Sequence, residues 1–577
     1  MVAWSDVLNW RADYIEAARQ QAEDALRTAR AQVAELEDHQ RHIQSQGDSI
    51  SAMRGALGSQ QSILDHGVNC LAEYMLACAE AVDGVRRVTA KVESALEISA
   101  EIGYPIHDDG SVDSFSRKYN HVPGRPLAQI QTAENMVAEA KHTELKDCVA
   151  DALRIADEVD AEFTKRLRPL AMGTFFRAEG RASISPGLPN DADESWSPSE
   201  VSAWWAALTD EERQACIERD PLKYGNLDGI DMASRDRANR LALYGREDAD
   251  GNHVPGTGLL DQAQAKFDEA KSRYESKLHN GMRLGEANAE VEAEFYRAQA
   301  DLKDLQKIDE QLRTKQASDG TPLSLLALDT SGEQVKAAVA VGDVDHAQHV
   351  ANFTPGMGTN VRDSLANYVD VADRMRENTE DQAGVELSDV AVVAWLNYDA
   401  PTDVTKTFDP SVTSTDKAHA GADRLAGFLT GVRSWRNEQG GSLHLTSIGH
   451  SYGSTTTGLA MLKMGEGVVD NQIYLASPGS GAHSVGALGV DPSHVWVSAV
   501  PEGDAVQGMG MDWSDFARDP QELEGIQHLS GDATGAQGYV SVNPGSYDNH
   551  SSYFAPPKPG ERNKVFDDVC KVLGGAK

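Results

Sequence analysis

After Lys315, short apolar runs alternate with segments of helical periodicity, and this alternation constrains the fold more than any other feature of the chain. The runs are 325–328, 335–341, 349–353, 390–396, 443–448, 472–475 and 495–500. Strands that are apolar on both sides belong in a parallel sheet with helices covering each face. The first two runs lie too close together for a helical crossover and read as an antiparallel hairpin at the sheet edge. Residues 321–577 therefore read as one α/β domain built on a mostly parallel sheet.

The chain before it reads as all-α. Ile15, Ala18, Ala22, Ala25, Ala29, Val33 and Leu36 recur at spacings of three and four, and a second stripe runs through Leu64, Leu71, Met75, Cys78, Val82, Val85, Val92 and Leu96. The turn formers at 46–49 separate the two, which predicts a long antiparallel, coiled-coil-like hairpin. A third helix is expected over about 126–167, after a turn-rich stretch at 103–123. The boundaries expected are a helical hairpin or bundle over 1–170, a linker over 171–196, and a helical module with a second hairpin over 197–320. In the module, Ser197 with Glu200 and Thr209 with Glu212 are capping-box pairs. The adjacent Trp204 and Trp205 read as core anchors.

Composition removes several function classes. Ninety acidic residues against 53 basic ones give a net charge of −37, which repels phosphate backbones and anionic lipid, so nucleic acid is not an expected partner. No stretch reaches the ~20 apolar residues of a membrane span, and residues 1–21 lack the apolar core of a secretory signal. The expected location is the cytoplasm, or outside the cell by a leaderless, type VII-like route. The five cysteines (Cys70, Cys78, Cys148, Cys216, Cys570) show no C-x-x-C spacing and read as buried thiols.

The chemistry concentrates around one pentapeptide. Gly449-His450-Ser451-Tyr452-Gly453 is the chain's only G-x-S-x-G, and it follows an apolar run and opens a helix. That strand–turn–helix setting is what a nucleophile elbow needs. Gly449 and Gly453 leave room for a turn too tight for side chains. Ser451 becomes a nucleophile only if a base takes its proton. On such a sheet the partners follow in the order acid, then histidine. Asp504, just past the 495–500 run, is the acid candidate, with Glu502 its neighbour and competitor. His550, after a further expected strand at 539–542, is the base candidate, with His528 its rival. An oxyanion hole would use the N–H of Tyr452 and one from the loop after 349–353, at Gly356 or Met357. This chemistry needs no metal or organic cofactor, and the chain has no H-E-x-x-H or Walker motif.

At TPGMGT (354–359), SIGHSYGSTTTG (447–458), PEGDAV (501–506), SDFARDP (514–520) and NHSSYF (549–554), the chain resembles an actinobacterial α/β-hydrolase family of unknown function. The likeness extends upstream through AWWAAL (203–208), GNLDGID (225–231) and RDRANRLAL (235–243). It implies a serine-hydrolase fold and a Ser-His-Asp triad, in a family whose substrates are largely unassigned; the substrate expected here is a small-molecule or lipid-like ester. The N-terminal hairpin is similar in style to WXG-type helical modules, although none of the nine tryptophans lies in a W-x-G. Two functions stand side by side. One is an esterase- or lipase-like serine hydrolase. The other is a secretion- or envelope-associated interaction protein whose hairpins bind helical partners and whose hydrolase domain is a scaffold.

Overall fold

One sheet gathers the apolar runs: β1 (Ser324–Asp329), β2 (Lys336–Val341), β3 (His349–Thr354), β4 (Val390–Leu396), β5 (His444–His450), β6 (Asn471–Leu475), β7 (Val495–Ser498) and the short β8 (Gln527–His528). The structure is a computed structural model that describes residues 2–43, 45–116, 127–175, 191–248, 250–279, 286–402, 410–498, 516–529, 550, 552–556 and 562–575. Among these the strand order is β1–β2–β4–β3–β5–β6–β7–β8. As expected, β1 and β2 form an antiparallel edge pair; β2 also meets β4 antiparallel, and every pairing from β4 to β8 is parallel. Of the 495–500 run, Val495–Ser498 forms a strand; residues 499–500 and the strand expected at 539–542 lie outside the described residues. No apolar run in the sequence marks β8.

Two compact units divide the chain, 1–214 and 215–577. The second holds the sheet with α7 (Pro221–Asn226), α8 (Met232–Tyr244), α9 (Leu259–His279), α10 (Glu286–Thr314), α11 (Val361–Ala383), α12 (Asp416–Glu438), α13 (Tyr452–Met461) and α14 (Lys564–Leu573). Alternation along the strands sends side chains to two cores. Val392 and Ala394 of β4 join Leu365 and Met375 of α11 and Val565, Val569 and Leu573 of α14 on one face. Val393 and Trp395 join Leu425, Phe428 and Leu429 of α12 and Leu459 and Met461 of α13 on the other. All seven residues of β4 are buried, and each large apolar side chain so buried contributes about 1.5–3 kcal/mol. The charge pattern of 259–315 predicts a solvated helical hairpin; α9 and α10 do pair, but the C-terminal part of α10 is buried. Leu302, Leu305 and Ile308 of α10 enter the first core, because they recur at three-residue spacing along one side of an otherwise charged helix.

The first unit is helical: α1 (Trp4–Val7), α2 (Asp13–His42), α3 (Asp48–Ile102), α4 (Leu127–Ala171) and α5 (Pro198–Ala206), with α6 (Asp210–Arg219) spanning the boundary. Arg19, Ala22, Leu26 and Val33 make the buried line of α2, whereas Ala25 of the expected stripe is exposed. Small residues let α3 and α4 close on each other: a Cβ at Gly84 would stand 2.3 Å from Val159 Cγ2. Both capping boxes form. Ser197 Oγ accepts from Glu200 N–H at 3.3 Å while Ser197 N–H reaches Glu200, and Thr209 and Glu212 exchange the same pair of bonds. Trp204 and Trp205 are fully buried.

Candidate active site

Ser451 sits between β5 and α13 with φ 55° and ψ −134°, one of three non-glycine residues with positive φ among those described. L-residues avoid that region because of contacts at Cβ. The strain is held in place: Ser451 N–H donates to Leu475 O on the adjacent β6 at 2.9 Å, and its own carbonyl accepts from Ser454 Oγ at 2.6 Å. The two flanking glycines are required by close approach. A Cβ on Gly449 would lie 2.4 Å from Ser454 Cα, and one on Gly453 would lie 2.4 Å from Thr354 O. The second contact also places the start of α13 directly against the end of β3.

The loop that follows β3 wraps over this turn. A Cβ on Gly356 would stand 2.6 Å from Ser451 Cβ and 2.9 Å from Tyr452 N, so glycine is what allows the loop backbone to touch both. The loop is tied down at several points. Pro355 O accepts from Tyr398 Oη at 2.7 Å, Gly358 N–H donates to Pro401 O at 2.7 Å, and Thr359 Oγ1 donates to Gly356 O at 2.7 Å. The Gly358 N–H is therefore committed. Among the described residues no acceptor engages the N–H of Met357, whose side chain packs half-buried on the second core. Tyr452 Oη in turn donates to Ser414 O at 2.7 Å and accepts from Ala418 N–H at 3.2 Å, which fixes the start of α12.

The two candidate histidines fall in different places. His528 is exposed on β8, the outermost strand among the described residues, whereas His550 is buried beside the elbow. Its carbonyl accepts from His450 Nε2 at 2.8 Å, and the two rings lie 5.0 Å apart. A carbonyl can only accept, so Nε2 of His450 carries the proton. His450 also meets the rings of Tyr553 and Phe554, at 5.8 and 5.2 Å. His450 is a residue that the sequence analysis quoted but gave no role, and its position between Gly449 and Ser451 was the available signal. Asp504 and its competitor Glu502 lie outside the described residues. Among the described residues no group of three His, Cys, Asp or Glu side chains is arranged to hold a metal ion.

Residues 330–510 match a family described as alpha/beta hydrolase. A protein of Mycobacterium tuberculosis (strain H37Rv), named as uncharacterized, is 34% identical over 221 residues, which cover 38% of this chain and 79% of that protein. The chain belongs to this alpha/beta-hydrolase family. A second uncharacterized M. tuberculosis protein is 29% identical over 303 residues, 52% of this chain and 42% of that protein, so the chain spans about two fifths of that relative's length. Among solved structures, a thermostable esterase from Pseudomonas putida aligns over 53% of this chain and 95% of its own at 12% identity and a TM-score of 0.25. A carboxyl esterase from Tuber melanosporum aligns over 48% and 98% at 11% identity and a TM-score of 0.25. Scores that low carry nothing about function. The mostly parallel sheet with helices on both faces is the α/β-hydrolase domain, and the region before it is helical.

Proposed function

We propose that the protein is a serine hydrolase that cleaves carboxylic esters or related acyl substrates through an acyl-enzyme. The observation that carries this reading is the juxtaposition at the elbow: Ser451, with positive φ, has the Gly356 backbone against its Cβ and Tyr452 N at the same point. In the proposed reaction His550 removes the proton from Ser451 Oγ as the oxygen attacks the carbonyl carbon. The N–H groups of Tyr452 and of Met357 or Gly356 hold the negative oxygen of the tetrahedral intermediate. The C–O bond to the alcohol breaks, and His550 returns the proton to the leaving alkoxide. Water then repeats the sequence on the acyl-enzyme and releases the acid. Asp504 is assigned as the acid that orients His550, on its place in the chain order.

Labelling with a fluorophosphonate tests this. The parent is expected to label, and Ser451→Ala and His550→Ala are expected not to. A folded parent that stays unlabelled would remove the reading. p-Nitrophenyl esters of graded chain length would then define the acyl pocket.

A second reading gives the WXG-like helical unit its own work, binding a helical protein partner. It is favoured by the exposure of Met53 (41%) and Ile63 (72%) on the first half of α3. A Ser451→Ala protein that retains a binding partner lost on changing both residues to Lys would support it. In that reading 1–170 forms the partner-binding part and 321–577 the hydrolase part.

A further inference from the structure

The loop 354–360 carries the candidate oxyanion donors, and Tyr398 and Pro401 hold its middle. Its far end is held from another helix. Asp304 of α10 is wholly buried; its Oδ1 accepts from Arg362 N–H at 2.8 Å and its Oδ2 from Arg362 Nη1 at 2.7 Å. We propose that Asp304 is a positioning residue for the oxyanion hole, fixing the start of α11 and through it the Gly356–Met357 backbone beside Ser451. The proposal rests on the serine-hydrolase reading.

Three features argue for positioning. First, α11 already has its own cap, since Asn360 Oδ1 accepts from Asp363 N–H at 3.0 Å. A second acceptor for the first turn, brought from a different helix, adds location in space more than helix propensity. Second, the segment from Gly356 to the cap is short and cross-tied through Thr359 and Gly358, so a shift at Arg362 has little slack in which to dissipate before it reaches Met357. Third, the anchor is rigid and unfavourable for its own carboxylate. Leu305 and Ile308 seat α10 in the core, and burial pushes Asp304 up to about 6 against the pull of Arg362. A buried ion pair of this kind is weak evidence for stability, and fixing geometry is a role that buried pairs can fill.

The test uses the full chain and compares Asp304→Asn, which keeps an acceptor for the Arg362 N–H, with Asp304→Leu, which keeps none. The expected kcat falls by about threefold in the first and by about tenfold or more in the second, with KM within about twofold of the parent in both. Affinity for a boronic acid, which forms a tetrahedral anion on the serine, is expected to fall in step with kcat. A purely structural Asp304 would lower the melting temperature and leave kcat per folded molecule and boronate affinity unchanged, and that result overturns the proposal. If Asp304→Leu does not fold, a kcat for Asp304→Asn equal to the parent's overturns it as well. A parent that takes no fluorophosphonate removes both readings. A parent that labels, beside an Asp304→Leu protein that labels at the same rate, removes only this one.

Discussion

At Gly356 a single methyl group separates two outcomes. Its Cβ would stand 2.6 Å from Ser451 Cβ and 2.9 Å from both His450 O and Tyr452 N. Gly356→Ala must therefore push the loop off the elbow. The expected loss in kcat is about 100-fold, the scale of losing one oxyanion donor, with a stability cost of about 1–3 kcal/mol. Steady-state kinetics beside urea unfolding separates the two effects. His450→Phe keeps a ring against Tyr553 and Phe554 and removes the bond to His550 O. One such bond is worth about 0.5–1.5 kcal/mol, so kcat/KM should drop several-fold; an unchanged value would mean that His550 is held by other contacts. Ser451 was legible because the elbow is a local device, five residues whose geometry follows from two glycines. Gly356 was legible because a Gly-Met-Gly turn after a strand announces close approach. Asp304 was not legible. It lies in a charged helix among other acids, and only the fold brings it to Arg362.

At the scale of elements, α13 is a short helix whose whole length is buried. An added Cβ at Gly458 would meet Ser480 O at 1.7 Å, a backbone atom that cannot rotate away. Gly458→Ala is expected to destabilise the second unit, as read from its urea unfolding, by more than the ~1 kcal/mol that alanine gains over glycine in a free helix. At the start of α11, Asn360→Ala should cost about 1 kcal/mol. The strands of the sheet centre could be read ahead of structure because strands buried on both faces are mostly apolar, with Asn352, Thr446, Ser447, Asn471 and Gln472 as buried polar exceptions. The short strand β8 could not, since two residues, one of them an exposed histidine, carry no pattern. The hairpin α9–α10 misled for a related reason. Its charges outnumber the stripe of Leu302, Leu305 and Ile308 that decides where it packs.

Across the whole molecule, several buried carboxyls are held above their ordinary range. Burial, opposed by Arg166, pushes Glu200 from 4.5 up to about 7, and Asp304 and Asp345 rise from 3.8 to about 6 by burial. A carboxyl held higher when folded binds more protons in the folded chain, so stability rises as pH falls from about 7 toward the unfolded values. Asp319 and Asp329 act the other way. Burial pushes them up, but hydrogen bonds to Arg376 for one and Ser331 for the other bring them down to about 2. Their contribution is present above the ordinary 3.8 and is lost as pH falls toward about 2. Burial holds His349 and His444 below 6.5, so they cost stability below that pH; melting temperature should therefore be higher near pH ~6.5 than near pH ~8, and should collapse in stronger acid. The net charge of −37 works in the same direction, so Glu200→Gln, which should shrink the difference, is the control. Glu200 stood out in the sequence only as a capping-box partner and Asp345 not at all, because which acids are buried depends on contacts between distant segments. One contact of that kind governs how the chain is made. Helix α14 lays Val565, Val569 and Leu573 on the core shared with Phe353 and Ile448, against β3, β5 and β6. On the ribosome the strand leading to Ser451 emerges long before the helix that covers it. Until then, beside α10 and α11, the patch that Val565, Val569 and Leu573 will cover is open to water, and the nucleophile waits on a sheet whose last cover is still to come.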